Sequence, residues 1–167
     1  MLPDATLADY GQPFASGTLP TSHWAYYGCC DNADADARDA LEELTEFGAA
    51  EDAYYQILGP SNLPDHHVEL ELVRFGNEEG ALGWYTPTWQ NGGDTDVDTA
   101  ADTAVELSTD ATGGHSSFTA VPGWADYVFV KGPYVADVYC TMEGEDAGDC
   151  ETVTRALAEP WYAHMPG

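Results

Sequence analysis

Thirty carboxylates, five histidines and four cysteines are the side chains of this chain that could bind ions, move protons or attack a bond. Nucleophilic catalysis needs a Ser or Cys beside a His, with a third group to orient the ring. His115-Ser116-Ser117 follows Gly113-Gly114, but there is no G-x-S-x-G elbow, and the segment reads as a loop entering a strand. Asn32, Asp34, Asp36 and Glu43 fall at positions 1, 3, 5 and 12 of a calcium loop, yet Ala37 stands at position 6, where the sharp turn requires Gly. Asp94, Asp96 and Asp98 repeat the alternate spacing but place Val105 where the bidentate Glu belongs. Weak, loop-type cation binding at Asp94, Asp96 and Asp98 is one reading of that run; solvated capping carboxylates are the favoured one. His66 and His67 are neighbours at a strand start and face opposite ways, so they do not readily chelate one ion together. With no Gly-rich phosphate loop, dinucleotide fingerprint or Walker motif, the expectation is no metal, no cofactor and no catalytic residue.

The cysteines carry a second kind of chemistry. Cys29, Cys30, Cys140 and Cys150 are an even set without CxxC or zinc-finger spacing. Cys140 ends a strand-like run and Cys150 opens a helix-like one, with an acidic loop between them. A Cys140–Cys150 bridge, or a bridge from the Cys29/Cys30 pair to one of these, fits that layout. Disulfides imply an oxidising compartment. The start, Met1-Leu-Pro-Asp, has neither a basic nor an apolar leader region, which leaves a removed leader or another route to the same place.

Charge narrows the partners. The chain has 167 residues, 4 Lys+Arg and 30 Asp+Glu, a formal net charge of −26. Nucleic acid and anionic membrane are repelled, because binding there rests on neutralising phosphates with Lys and Arg. No apolar run is long enough to cross a bilayer as a helix. The hydrophobic fraction of 44% supports a real core, so the chain is not disordered. Like charges repel over a Debye length of about 10 Å at 0.1 M salt and only about 3 Å at 1 M. This composition, with acid spread over every segment, one lysine (Lys131) and many small residues, resembles the proteins of haloarchaea or their viruses. The resemblance implies a protein that folds in molar salt.

The elements follow from periodicity. Residues 1–28 hold three prolines and three glycines without helical spacing and read as an extended N-terminal arm; residues 29–167 read as one α+β domain. Helices are predicted over 37–47, stopped by Gly48, over 99–107, and over 150–158, stopped by Pro160. Strands are predicted over 54–58, 68–75, 81–89, 118–121, 127–130 and 134–140. The order suggests two helix–strand–hairpin units building an antiparallel sheet, with helices packed on one face. The closing strand–turn–strand–helix pattern loosely resembles extracytoplasmic sensor and lipoprotein domains, which implies an exported location.

Aromatic residues make up 12% of the chain. Core packing accounts for most of them, while Trp84, Trp89 and Trp124 are candidates for a recognition surface. The leading expectation is therefore a non-enzymatic, salt-adapted cell-surface domain that binds a ligand or protein partner. A structural virion protein, contacting its neighbour through residues 1–28, is the alternative, and a hydrolase without a recognisable motif comes third.

Overall fold

The computed structural model describes residues 13–21, 33–58, 66–85, 115–121, 123–142 and 148–166. In chain order they form β1 (Pro13–Pro20), α1 (Ala33–Glu46), β2 (Asp52–Leu58), β3 (His66–Arg74), α2 (Glu78–Tyr85), β4 (Ser116–Val121), β5 (Trp124–Lys131), β6 (Tyr134–Met142) and α3 (Gly148–His164). The strands make one antiparallel sheet in the order β1-β2-β3-β6-β5-β4. The α+β class expected from the sequence is the class observed.

Side chains alternate across a strand, so register decides which residues share a face. On the first face, Val68, Leu70 and Leu72 lie opposite Cys140, Val138 and Ala136, which lie opposite Ala125, Tyr127 and Phe129. Helix α3 covers this face with Cys150, Val153, Leu157, Ala158 and Trp161, followed by Met165 just beyond its end, all spaced at helical intervals. Phe129 meets Trp161 and Tyr162 edge-on, with ring centroids 5.8 and 5.7 Å apart. The Cys140–Cys150 disulfide ties β6 to the first turn of α3 across a Cα–Cα distance of 5.6 Å.

The second face is covered at one end. Val73, Val128, Val130 and Val135 pack with Leu44 of α1 and with Ala81, Trp84 and Tyr85 of α2. Helices therefore lie on both faces, which corrects the one-face expectation: apolar residues alternate to both sides of β5 and β6, and each side needs a cover. Residues 81–85, expected as the start of a returning strand, belong instead to the helix Glu78–Tyr85. The Asn77 side chain accepts from the backbone N–H of Gly80 at 2.9 Å and caps the first turn, which also carries Glu78 and Glu79. Gly80 and Gly83 then let α2 close on Phe47: a Cβ at Gly80 would lie 2.3 Å from the Phe47 carbonyl oxygen. The described part of the expected hairpin arm, residues 81–85, is thus helical, and residues 86–89 lie outside the described residues.

Two helix ends contrast. Gly48, at φ 81°, closes α1 as expected: its N–H donates to the Thr45 carbonyl, and the Ala49 N–H donates to the Leu44 carbonyl. Helix α3, in contrast, runs through Pro160 to His164. Proline in a helix interior costs about 3 kcal/mol, while burying an aromatic or large aliphatic side chain returns roughly 1.5–3 kcal/mol each. Trp161 and Met165 are both buried, and Lys131 donates to the Tyr162 and Met165 carbonyls at 2.7 Å. Packing and capping outweigh the proline.

The described part of the N-terminal segment belongs to the same sheet. β1 pairs with β2 along its length, and just past it the Thr21 N–H donates to the Glu51 carbonyl while its hydroxyl donates to the Ala50 carbonyl. The expected helix over 99–107 lies outside the described residues.

Two substitutions test this packing by urea unfolding in molar salt. Gly80→Ala gains up to about 1 kcal/mol of helix propensity, yet the contact with the Phe47 backbone should win and destabilise by about 1–3 kcal/mol net. The double change Cys140→Ser with Cys150→Ser opens a loop of sequence separation 10 and should cost about 2–3 kcal/mol.

Candidate functional site

Beyond the α1–α2 cover, the second face of the sheet carries acid. Glu69 lies opposite Tyr139, and Tyr139 opposite Asp126; one row on, Glu71 lies opposite Asp137, and Asp137 opposite Val128. Glu69, Glu71, Asp126 and Asp137 thus share one patch on three adjacent strands. Asp126 is only 8% exposed, and one oxygen each of Asp126 and Asp137, both Oδ1, is buried without a hydrogen-bond partner. His67 Nε2 lies 2.6 Å from Glu69 Oε1, while among the described residues no Lys or Arg pairs with a carboxylate of the patch. Lys131 is bound to the end of α3, Arg155 lies over the Phe118 ring and pairs with Glu151, and Arg74 lines a groove described below.

Three of the patch carboxyls, Glu71, Asp126 and Asp137, have no ion pair among the described residues, and burial favours their protonated forms. Burial pushes Glu71 up to about 8, with repulsion from Glu69 and Asp126 adding to it. Burial also raises Asp126, opposed by a hydrogen bond to Asp137. Asp137 lies well above the usual carboxylate range through burial, the Asp126 charge and that same bond, with further repulsion from Glu71 and Glu69. The two aspartates hold a proton between them and titrate as a pair. Tyr139 is raised by burial, against a hydrogen bond from Trp124. Such a pair is the raw material of general acid chemistry. Asp126 is buried and Asp137 half-buried on this face. Among the described residues no three His, Cys, Asp or Glu side chains converge as metal ligands.

The open concavity is on the other face, beside the area covered by α3. Thr18 lies opposite Tyr54 and Tyr54 opposite Leu72, while Arg74 lies opposite Tyr134. With Ala50, Glu51 and Asp52 they line a groove of about 490 Å³. Leu72, Tyr54 and Tyr134 are half-buried, whereas Arg74, Glu51 and Asp52 are exposed. Burial raises Tyr54 above the ordinary phenol value, so it stays neutral there. Among the described residues the charged contacts within bonding distance are His67–Glu69 and Arg155–Glu151, so Arg74 faces the groove with its charge unpaired.

The residues singled out from sequence fall in different places. Cys140 and Cys150 are bonded, while Cys29 and Cys30 lie outside the described residues. Trp84 is 5% exposed and packs on Phe75 at 6.0 Å, inside the core rather than on a recognition surface. Trp124 is half-buried and meets Tyr139 edge-on at 6.1 Å, beside the acidic patch. Trp89, Asp94, Asp96 and Asp98 lie outside the described residues. The sequence reading missed the acid patch and the groove. A signal for the first was present: Asp126 and Asp137 each interrupt an otherwise apolar strand.

The acid patch predicts an unusual pH dependence. The folded protein keeps protons on Glu71, Asp126 and Asp137 that the unfolded chain releases near the ordinary carboxylate value. Between about pH 4.5 and pH 8 the folded state therefore binds more protons, and stability falls as pH rises through that window. Glu71→Gln removes one ionisation and should flatten the slope. Urea unfolding should find it more stable than the parent by about 1–3 kcal/mol near pH 8 and little changed near pH 4.5.

No protein-family model matches the chain, and no curated protein matches it either.

Proposed function

We propose that this chain is a non-catalytic, salt-adapted domain of the cell surface that binds a ligand or protein partner. The observation that supports binding is the groove: an open concavity holding two tyrosines, a leucine and an arginine unpaired among the described residues, built mostly on paired strands, with Ala50 and Glu51 from the turn before β2. Groups on a sheet are held in place by its hydrogen-bond ladder, so the groove is largely formed before anything enters it. The acid–base pair best suited to catalysis, Asp126 with Asp137, is on the opposite face of the sheet from this groove.

Location outside the cytoplasm is supported by the Cys140–Cys150 bridge, and salt adaptation by the net charge of −26. The place of β1 in the chain's own sheet supports a surface domain over the virion subunit, whose arm would lie on a neighbour.

Two measurements test the reading. NMR shift mapping in about 2 M KCl, against a panel of small uncharged, anionic, cationic and zwitterionic compounds, should give perturbations centred on Thr18, Tyr54, Leu72, Arg74 and Tyr134. Perturbations that avoid these residues, or none with any compound, would contradict it. Circular dichroism should show cooperative unfolding in about 2 M KCl and a lower midpoint after dilution to about 0.1 M, where carboxylate repulsion is less screened. An unchanged midpoint would contradict the salt adaptation.

A further inference from the structure

The groove is lined by side chains of opposed charge, and this is unusual in a chain with 4 Lys+Arg against 30 Asp+Glu. An arginine here is surrounded by a field that favours pairing, yet Arg74 has no carboxylate within bonding distance among the described residues. Its guanidinium presents a planar fork that matches a carboxylate with two parallel hydrogen bonds. Glu51 and Asp52 stand in the same groove as acceptors for a cation. Between these poles lie the apolar surfaces of Leu72, Tyr54 and Tyr134. The volume of about 490 Å³ is at the small end of ligand sites and suits a molecule the size of an amino acid or dipeptide.

We infer that the groove binds a zwitterionic small ligand of the amino-acid class with a large apolar or aromatic side chain. The carboxylate is placed on Arg74, the ammonium at Glu51 and Asp52, and the side chain against Tyr54, Leu72 and Tyr134. A purely anionic ligand would meet the repulsion of Glu51, Asp52 and the −26 surface. A purely cationic one would leave Arg74 both desolvated and facing a like charge. Only a molecule carrying both charges satisfies both ends. Molar salt weakens the long-range field more than the short-range fork contact.

This inference rests on the binding reading above and narrows it to one ligand class. The test uses the full chain in about 2 M KCl, with L-phenylalanine as probe and two analogues, 3-phenylpropionate without the amine and phenethylamine without the carboxylate. L-Phenylalanine should shift the amides of Thr18, Tyr54, Leu72, Arg74 and Tyr134, with a Kd on the order of 1 mM or tighter. Each analogue should bind at least about 10-fold more weakly, as should L-phenylalanine to Arg74→Gln, with Arg74→Lys in between. Arg74 is exposed, and circular dichroism of both variants checks that they fold. An analogue that binds the groove as well as L-phenylalanine, or an Arg74→Gln variant of unchanged affinity, would overturn the zwitterion assignment and leave the binding reading standing. No groove shift with any of the three probes would overturn the assignment and count against that reading as well.

Discussion

Charge is the constraint on which the rest of this structure depends. With 30 acidic and four basic side chains, few carboxylates can find a Lys or Arg, and two of these cations, Lys131 and Arg155, fasten one helix. Lys131 sits at the end of α3, where two backbone carbonyls and the negative end of the helix dipole need a donor, and its ammonium also lies 4.8 Å from the centre of the Tyr162 ring. Arg155 lies 4.0 Å from the centre of the Phe118 ring and pairs with Glu151 one turn back. Both cations thus fasten the same helix that the Cys140–Cys150 bridge holds at its start. Helix α3 is the cover of the main core, and it is anchored near both ends and in its middle.

Where cations are missing, protons take their place. Strand alternation sends Val68, Leu70, Tyr127, Phe129, Ala136 and Val138 under α3, and the same alternation forces Glu69, Glu71, Asp126 and Asp137 together on the opposite side. A register slip of one residue would bury these acids under α3 and expose the core, so the patch follows directly from the arrangement that makes the core. Repulsion among ionised carboxyls in a low-dielectric site costs more than holding a proton near neutral pH. The sheet is therefore adapted to acid rather than merely tolerant of it.

Much of this fold was legible in the residues. Alternation over 68–75 and the run around Gly132 located β3, β5 and β6, because period-two patterns survive into any half-covered strand. Gly48 marked a helix end that only a positive φ could make. The failures have physical causes as definite as the successes. Residues 78–85 hold two glycines and two aromatics, a poor helix by propensity, and form one because Asn77 caps it and Phe47 fits against the glycines. Pro160 reads locally as a stop, and the distant Lys131 and the burial of Trp161 carry the helix past it. The acid patch and the groove are assembled by pairings between β1, β2, β3, β5 and β6, and cross-strand neighbours have no spacing in sequence to reveal them.

The claim that buried acid is neutralised by protons can be read directly from the carboxyl carbons of Glu71, Asp126 and Asp137. A carbon-13 NMR titration in molar salt records the ionisation of each side chain separately. The account predicts that Glu71 is half-titrated near pH 8 and that Asp126 and Asp137 move together, in coupled steps displaced above the ordinary aspartate range. Three independent titrations near pH 4, the value for solvated carboxylates, would contradict it.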